Sequence, residues 1–187
     1  RKTCKELAPV TDSFHAPHYV AQLLKDELNI DGIGHDIQET FPLGVANITL
    51  TPAWHNWQNE SPKHHTRDFK REDYCGFWID TPDGSIWAIG DSRLLEEQLN
   101  MPTPDAILFD FSDSSWHIGL EDALKVAEAY PNTPLILWHW GSVDAPTWKE
   151  FNGDPEHFRS LVKNPERVVV LNPGQAYSLK RLVKNQE

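Results

Sequence analysis

The chain lacks long apolar runs and has few cysteines. No stretch of 18 consecutive apolar residues occurs among its 187 residues, so the sequence predicts no membrane-spanning helix and no membrane partner. Cys4 and Cys75 lie far apart in the sequence. They form neither a CxxC pair nor a disulfide framework, a pattern typical of a reducing compartment. We therefore expect a cytoplasmic protein.

Basic residues are also scarce. The sequence has 17 lysines and arginines against 28 aspartates and glutamates, which gives a formal net charge of −11. A surface of this charge repels phosphate backbones and disfavours nucleic acid as a partner. An anionic substrate would need a local positive charge, which a metal cluster could supply. The charge thus favours a small-molecule substrate over nucleic acid.

Tryptophan and histidine, by contrast, are abundant and often adjacent. The chain has eight tryptophans and nine histidines, and several stand side by side. The adjacent groups are Trp54-His55, Trp116-His117 and Trp138-His139-Trp140. Aromatic walls beside imidazoles suit a pocket with polar chemistry at its base. The alternative is that these tryptophans simply fill the core.

Alternating strand and helix patterns predict one layered domain over residues 1–187. Residues 81–84, Thr-Pro-Asp-Gly, separate two β-type runs and predict a hairpin. Residues 54–73 are polar and predict a long loop, which in a compact domain is often functional. Strands are predicted at 45–51, 75–80, 85–89, 106–111, 135–137, 168–171 and, at an edge, 177–179; helices at 19–28, 93–99, 120–130 and 155–162. This order predicts an α/β (α+β layered) fold.

Three residues that can bind metals each follow an apolar strand. They are His55, Asp91 and His139, and strand ends are where α/β proteins assemble their sites. Two imidazoles and a carboxylate suit Zn²⁺, with Mn²⁺ or Fe²⁺ as alternatives. By spacing alone, the histidines could equally be loop residues bonded to backbone, and Gly90-Asp91-Ser92 could be a turn or a helix N-cap.

Five segments occur in an order that resembles the metallo-β-lactamase superfamily. They are ITLTPAWH at 48–55, GFWIDTPDGSIWAIGDS at 76–92, PDAIL at 104–108, LEDA at 120–123 and LWHWG at 137–141. The pattern is similar to the ascorbate-6-phosphate lactonase-like group and, more distantly, to the N-acylphosphatidylethanolamine phospholipase D branch. The resemblance implies an αββα sandwich with two divalent metal ions at one edge.

The resemblance also implies roles for these residues. His55 would bind the first metal, His139 the second, and Asp91 would bridge both and so take part in catalysis. Such a pair activates a shared water for attack on an ester, lactone or phosphodiester bond. The expected protein is therefore a metal-dependent hydrolase, with zinc as the first choice of metal and a small metabolite as substrate.

Further candidates come from the loops that would border this site. His117 lies in a serine-rich loop after the strand that ends near Asp110, and the resemblance implies that it touches substrate or acts as an acid. Asp110 could orient a ligand. Five further residues are predicted to contact substrate: His64 and His65 with Arg67 as anion binders, and Trp57 and Trp140 as apolar walls. The alternative for residues 64–67 is a solvated polar loop.

The sequence departs from the family at its main ligand motif. HxHxDH is absent, and Arg1 stands about where that motif would have ended. We expect a C-terminal portion of a longer protein, with the N-terminal strands of the sandwich absent. The alternative is a natural truncation, a non-catalytic or vestigial binding protein with this fold. An open sheet edge would favour pairing with another chain, so a homo-oligomer is a further expectation.

Overall fold

The chain begins with a small parallel β-α-β unit. The computed structural model describes residues 1–60, 67–141, 147–148 and 151–182. After helix α1 (Lys2–Leu7), strand β1 (His15–Pro17) leads into helix α2 (His18–Leu28), and strand β2 (Ile33–His35) pairs in parallel with β1. The helix predicted at 19–28 is confirmed. The two strands escaped prediction because three residues are too few for an alternating pattern to register.

A seven-stranded mixed sheet follows, and its strands lie side by side in chain order. They are β3 (Thr40–Leu43), β4 (Ala46–Pro52), β5 (Cys75–Thr81), β6 (Gly84–Ala88), β7 (Ala106–Asp110), β8 (Leu135–Trp138) and β9 (Val168–Val170). The pairs from β3 to β6 are antiparallel and those from β6 to β9 are parallel. Strands β4, β6, β7 and β8 therefore run in one direction, and their C-terminal ends meet at one edge.

The antiparallel and the parallel half of the sheet differ in the connections between their strands. Short turns can join the antiparallel strands, as at Thr81, whose hydroxyl donates to the Gly84 carbonyl in the predicted hairpin. The parallel strands need crossovers. Two of these carry helix α3 (Leu120–Ala129) and helix α4 (Pro155–Leu161). Both helices pack on the main core, whose large fully buried side chains include Trp87, Ile107, Phe109, Leu135 and Phe158.

Two predicted elements differ in the structure. The helix expected at 93–99 is a short 3-10 helix, Glu96–Asn100. The fully buried Gln98 donates from Nε2 to the Pro52 carbonyl, so this segment is anchored by a side chain rather than extended as a helix. The edge strand expected at 177–179 does not form. The tail instead crosses to the other end of the sheet, where Leu182 N donates to Asp105.

Helix length bears on the expectation about membranes. Within the described residues, every helix is too short or too polar to cross a lipid bilayer.

Candidate metal centre

Four side chains that can bind a metal lie close together where strands β4, β6, β7 and β8 reach their C-terminal ends. His55 follows β4, Asp91 follows β6 and His139 directly follows β8, while His117 lies between β7 and α3. All four line one cavity of about 420 Å³. The structure thus brings His55, Asp91 and His139, each of which follows a strand, together at one cavity.

Within this group, three residues form the tightest set. Asp91, His117 and His139 each offer one ligand atom, and these atoms all lie within 4.8 Å of one another. The ring centroids of His117 and His139 are 4.2 Å apart. His55 lies on another side of His117, with ring centroids 4.9 Å apart. Sequence reasoning gave His117 a role in substrate contact or proton transfer and missed it as a possible ligand.

Close backbone packing positions Asp91. A Cβ atom at Gly76 on β5 would lie 2.3 Å from the Ile89 carbonyl oxygen, so only glycine allows β5 to pass this close to the chain before Asp91. Gly90 has a φ of +82°, a left-handed conformation that glycine adopts without steric cost. The two glycines let the chain turn sharply between β6 and the cavity.

Ser92 fastens the turn after Asp91 to the end of β4. Trp54 N donates to Ser92 Oγ over 2.9 Å, and Arg93 N donates to the Trp54 carbonyl over 3.0 Å. These two bonds hold the residue before His55 against the residues after Asp91. Two ligand candidates from distant parts of the sequence are thus fixed relative to each other by backbone contacts.

Asp110 orients His117 from below the cavity. Its side chain is fully buried, accepts a hydrogen bond from Ser92 N over 3.0 Å, and contacts Nδ1 of His117. Burial raises the pKa of Asp110 well above its ordinary value, and the backbone bond from Ser92 opposes this shift. Because Nδ1 faces Asp110, Nε2 of His117 is the ring nitrogen that could bind a metal. A carboxylate behind a histidine in this way is a recurrent feature of metal sites.

The protonation state of the histidines suits metal binding. Burial is the main cause that lowers the pKa of His55, His117 and His139. Repulsion from neighbouring histidines adds to the effect for His55 and His139. Lowered pKa values favour neutral imidazole, the form that binds metals. Imidazoles and one carboxylate in this spacing fit a divalent cation such as zinc.

His139 adopts an unusual backbone conformation. Its φ is +69°, a region that residues with a side chain rarely occupy and that is found more often at functional sites. Gly141, two residues later, also has a positive φ of 62°. These angles turn the chain back immediately after β8, so that His139 reaches the cavity from the first position after the strand.

The predicted substrate contacts are scattered. Trp57 lines the cavity. Arg67 donates from both Nη atoms to Asp73, over 2.6 and 3.0 Å, and lies 3.5 Å from the ring centre of Tyr19. Trp140 is partly buried and packs against the main core. His64 and His65 lie outside the described residues.

Three aromatic residues of the cavity were missed in the sequence as contacts. Trp116, Trp148 and Phe151 line it together with Trp57. The adjacency of Trp116 to His117 was a usable signal. Trp148 and Phe151 gave none, because the stretch around them reads as an ordinary segment before helix α4.

Comparison with known proteins identifies the family. The profile of the beta-lactamase superfamily domain matches residues 3–140, well over half of the chain. A curated relative, a metal-dependent hydrolase of Pyrococcus furiosus, is 24% identical over 177 residues, which are 92% of this chain and 71% of the relative. That name agrees with the expectation of a metal-dependent hydrolase.

Solved structures agree on the fold. An isothiocyanate hydrolase from Delia radicum gut bacteria superposes with a TM-score of 0.67 at 12% identity, over 97% of this chain and 72% of its own. A possible metal-dependent hydrolase from Veillonella parvula superposes with a TM-score of 0.65 at 16% identity, over 92% of this chain and 69% of its own. At these identities the likeness concerns the fold alone. The predicted superfamily and its α/β fold are confirmed.

Proposed function

Because the chain belongs to the beta-lactamase superfamily, we propose that it is a metal-dependent hydrolase whose metal site is built from Asp91, His117, His139 and His55. One observation carries the proposal. The ligand atoms of Asp91, His117 and His139 lie within 4.8 Å of one another at a cavity of about 420 Å³. Three protein donors with a position left open toward a cavity are the usual arrangement of a catalytic zinc site.

The residues divide the work by position. A bound divalent ion would supply Lewis acidity, activating water and polarising the bond to be cleaved. Asp91, His117 and His139 would hold such an ion, and Asp110 would keep the His117 ring in the orientation that presents Nε2. The substrate would enter through the cavity, with its reacting carbonyl or phosphoryl group toward the donors.

The number and identity of the ions are part of the proposal. We propose two divalent ions, zinc first and manganese or iron as alternatives, acting on an ester, lactone or phosphodiester bond of a small metabolite. The described donors account for one ion directly, since three of them lie together. His55, whose ring centroid lies 4.9 Å from that of His117, would serve the second ion, which would need further donors.

His117 has two proposed roles that one variant separates. If it is a ligand, His117→Ala lowers both bound metal and turnover. If it transfers protons or touches substrate, as the sequence predicted, His117→Ala lowers turnover while metal content stays the same. The short distances from a His117 ring nitrogen to ligand atoms of Asp91 and His139, within 4.8 Å, favour the ligand role.

The first test is metal content per chain, measured by elemental mass spectrometry on protein purified without chelator. A value of one or two, with hydrolysis that a chelator abolishes and added metal restores, supports the proposal. A value near zero, with no effect of chelator on thermal stability, favours a non-catalytic binding protein. The absence of HxHxDH from the sequence is the observation that keeps that second candidate in the test.

We also propose a cellular location and an oligomeric state for the protein, each from one kind of observation. Cys4 and Cys75 are both free thiols, which suits the reducing environment of the cytoplasm. β3 and β9 form the two edges of the large sheet. Either edge offers a route to the homo-oligomer expected from the sequence.

A further inference from the structure

The cavity above the candidate metal centre has aromatic walls. Its described lining consists of the four candidate ligands and four aromatic side chains, Trp57, Trp116, Trp148 and Phe151. Polar chemistry is therefore concentrated at the ligands, and apolar ring surface makes up the rest. A pocket of this composition selects its ligand by shape and by apolar contact.

The aromatic surface begins immediately next to the metal donors. The Phe151 ring stacks on the His139 ring, with centroids 6.0 Å apart and planes 18° apart. The Trp148 ring lies 6.0 Å from Phe151. On the other side, Trp57 lies 6.4 Å from His55. A flat group attached close to the scissile bond would therefore meet an aromatic wall on either side of the donors.

Two of these walls are available for contact. Trp57 is 41% exposed and Trp148 is 57% exposed, which is unusual for the largest apolar side chain. Exposed apolar surface that surrounds a cavity marks a place where another apolar group binds. Trp116 is held in position, because its indole N–H donates to Glu60 over 3.3 Å. The cavity thus presents ring surface that a ligand can cover.

The charges around the cavity oppose a second anionic group. Its described lining contains Asp91 but neither lysine nor arginine, and the Glu60 carboxylate bonds Trp116. In the neighbouring loop, Arg67 is paired with Asp73, and Arg71 contacts Glu97. A substrate with a negative charge away from the metal would meet repulsion from Glu60. Arg93, the described cation that follows Asp91 and Ser92, lies outside the cavity lining and donates to Asn56 over 2.6 Å.

We propose that the substrate is an uncharged ester or lactone that carries an aromatic, or similarly flat and apolar, group next to the scissile bond. This inference rests on the proposed function and narrows it, since it disfavours phosphorylated metabolites and phosphodiesters. Its support is independent of the ligands, because it comes from the four aromatic walls and from the charges near them.

A matched series of esters tests the proposal by rate. Methyl phenylacetate has the ring, methyl acetate lacks it, and methyl 4-sulfophenylacetate adds a distal negative charge. We expect kcat/KM for methyl phenylacetate to exceed each of the other two by about 10- to 100-fold, the range of selectivity that an apolar group gains in a pocket. Acid release followed with a pH indicator gives the rates.

The walls themselves are tested by two variants. Trp148→Ala and Trp57→Ala should each lower the ratio of kcat/KM for methyl phenylacetate over methyl acetate by at least about threefold. Tyr177→Ala is the matched control, because Tyr177 is an exposed aromatic residue outside the cavity lining. It should leave the ratio unchanged.

A binding measurement separates failure of this inference from failure of the proposed function. Phenylacetamide, acetamide and 4-sulfophenylacetamide are titrated against the protein by ligand-observed NMR, which needs no turnover. Phenylacetamide should bind at least about tenfold more tightly than the other two, and Trp148→Ala should weaken it. Equal binding of the three amides, or tighter binding of the sulfonate, overturns the inference. Tight phenylacetamide binding without metal-dependent hydrolysis of any ester, lactone or phosphodiester supports the pocket and contradicts the proposed function.

Discussion

Two histidine clusters lie in the part of the chain that the structure describes, and of these two one has the character of a metal site. In the first, at the N-terminal β-α-β unit, His15 Nδ1 lies 2.8 Å from His35 Nε2, and Phe41 stacks on both rings. His35 Nδ1 bonds Glu39 over 2.7 Å, and His15 Nε2 bonds Ser13 over 2.9 Å. All four ring nitrogens of this pair are therefore used in hydrogen bonds inside the protein.

The candidate metal centre uses the same residue type differently. His117 bonds Asp110 through Nδ1, which leaves Nε2 for a metal, and one of its ring nitrogens lies within 4.8 Å of ligand atoms of Asp91 and His139. The distance between imidazoles does not distinguish the two clusters, since the rings are 5.1 Å apart in one and 4.2 Å apart in the other. What distinguishes them is whether a ring nitrogen remains to bind an ion. A histidine cluster becomes a metal site only when its hydrogen bonds leave donors for the metal.

The strongest test of this contrast removes a donor. Asp91→Ala should lower bound metal and reduce turnover by at least about 100-fold, because even residues behind the ligands commonly contribute about 10- to 100-fold. Metal content and kcat/KM are the measurements. Asp83→Ala is the control, since Asp83 is an exposed carboxylate in the hairpin at the opposite end of β6. Full activity in Asp91→Ala would mean that the mechanism is wrong.

The next test removes only the orientation of a donor. Asp110→Asn should weaken metal affinity by about 10- to 100-fold, because the amide cannot hold the His117 ring as the carboxylate does. Asp105→Asn is matched to it: Asp105 is also buried and precedes β7, and it bonds Ser85. That variant should lose stability and retain its metal. Equal metal affinities in the two variants would mean that Asp110 does not support metal binding.

The N-terminal cluster should respond in stability rather than in metal content. His35→Ala removes the partner of both His15 and Glu39, and leaving such groups unpaired typically costs about 1–3 kcal/mol. Urea unfolding gives the loss, with elemental analysis in parallel. His18→Ala removes a contact of His18 Nε2 with Asp36, over 3.4 Å, between exposed side chains, so it should cost less than about 1 kcal/mol. A loss of bound metal in His35→Ala would mean that the N-terminal cluster also contributes to metal binding, which contradicts the contrast between the two clusters.

The smallest expected effect is on the pH dependence of stability. Burial and the neighbouring His35 lower the pKa of His15, so the unfolded chain binds more protons than the folded one below the ordinary histidine value. The free energy of unfolding should therefore fall as pH drops from about 6.5 toward the lowered pKa of His15. Ser13, Glu39 and His35 are the polar groups around it. The histidines of the metal centre act in the same direction.

A variant isolates the contribution of His15. In metal-free protein, His15→Gln should flatten the plot of unfolding free energy against pH between about 5 and 7, by less than the slope of one full proton. Urea midpoints across that range provide the measurement. An unchanged slope would show that His15 does not titrate within this window.

Much of the fold follows from local pattern, and part of the site does too. Because β4, β6 and β8 run in one direction, the rule that side chains after such strands converge was enough to bring His55, Asp91 and His139 to one cavity. The hairpin at residues 81–84 and helices α2, α3 and α4 also followed from periodicity and turn chemistry. Their boundaries differ from the predicted ones by a few residues only.

The features of the fold and the site that the sequence did not predict depend on contacts between residues that are far apart in the chain. The proposed ligand role of His117 depends on Asp110 holding its Nδ1, a bond between two side chains that no spacing rule contains. The cluster of His15 and His35 forms only once two three-residue strands pair. Trp148 and Phe151 line the cavity from the long connection after β8. The sequence of this connection shows no periodicity typical of a helix or a strand. Tertiary contacts, rather than propensity, decided each of these positions.

The left-handed backbone at His139 bears on how this protein can be engineered. For a residue with a side chain, that conformation costs about 1–2 kcal/mol relative to a right-handed one, and glycine or asparagine would relieve much of it. A search for thermostable variants would therefore tend to select His139→Gly or His139→Asn. Either change would remove a donor from the cavity. At this position, selection for thermostability and selection for catalysis would pull in opposite directions.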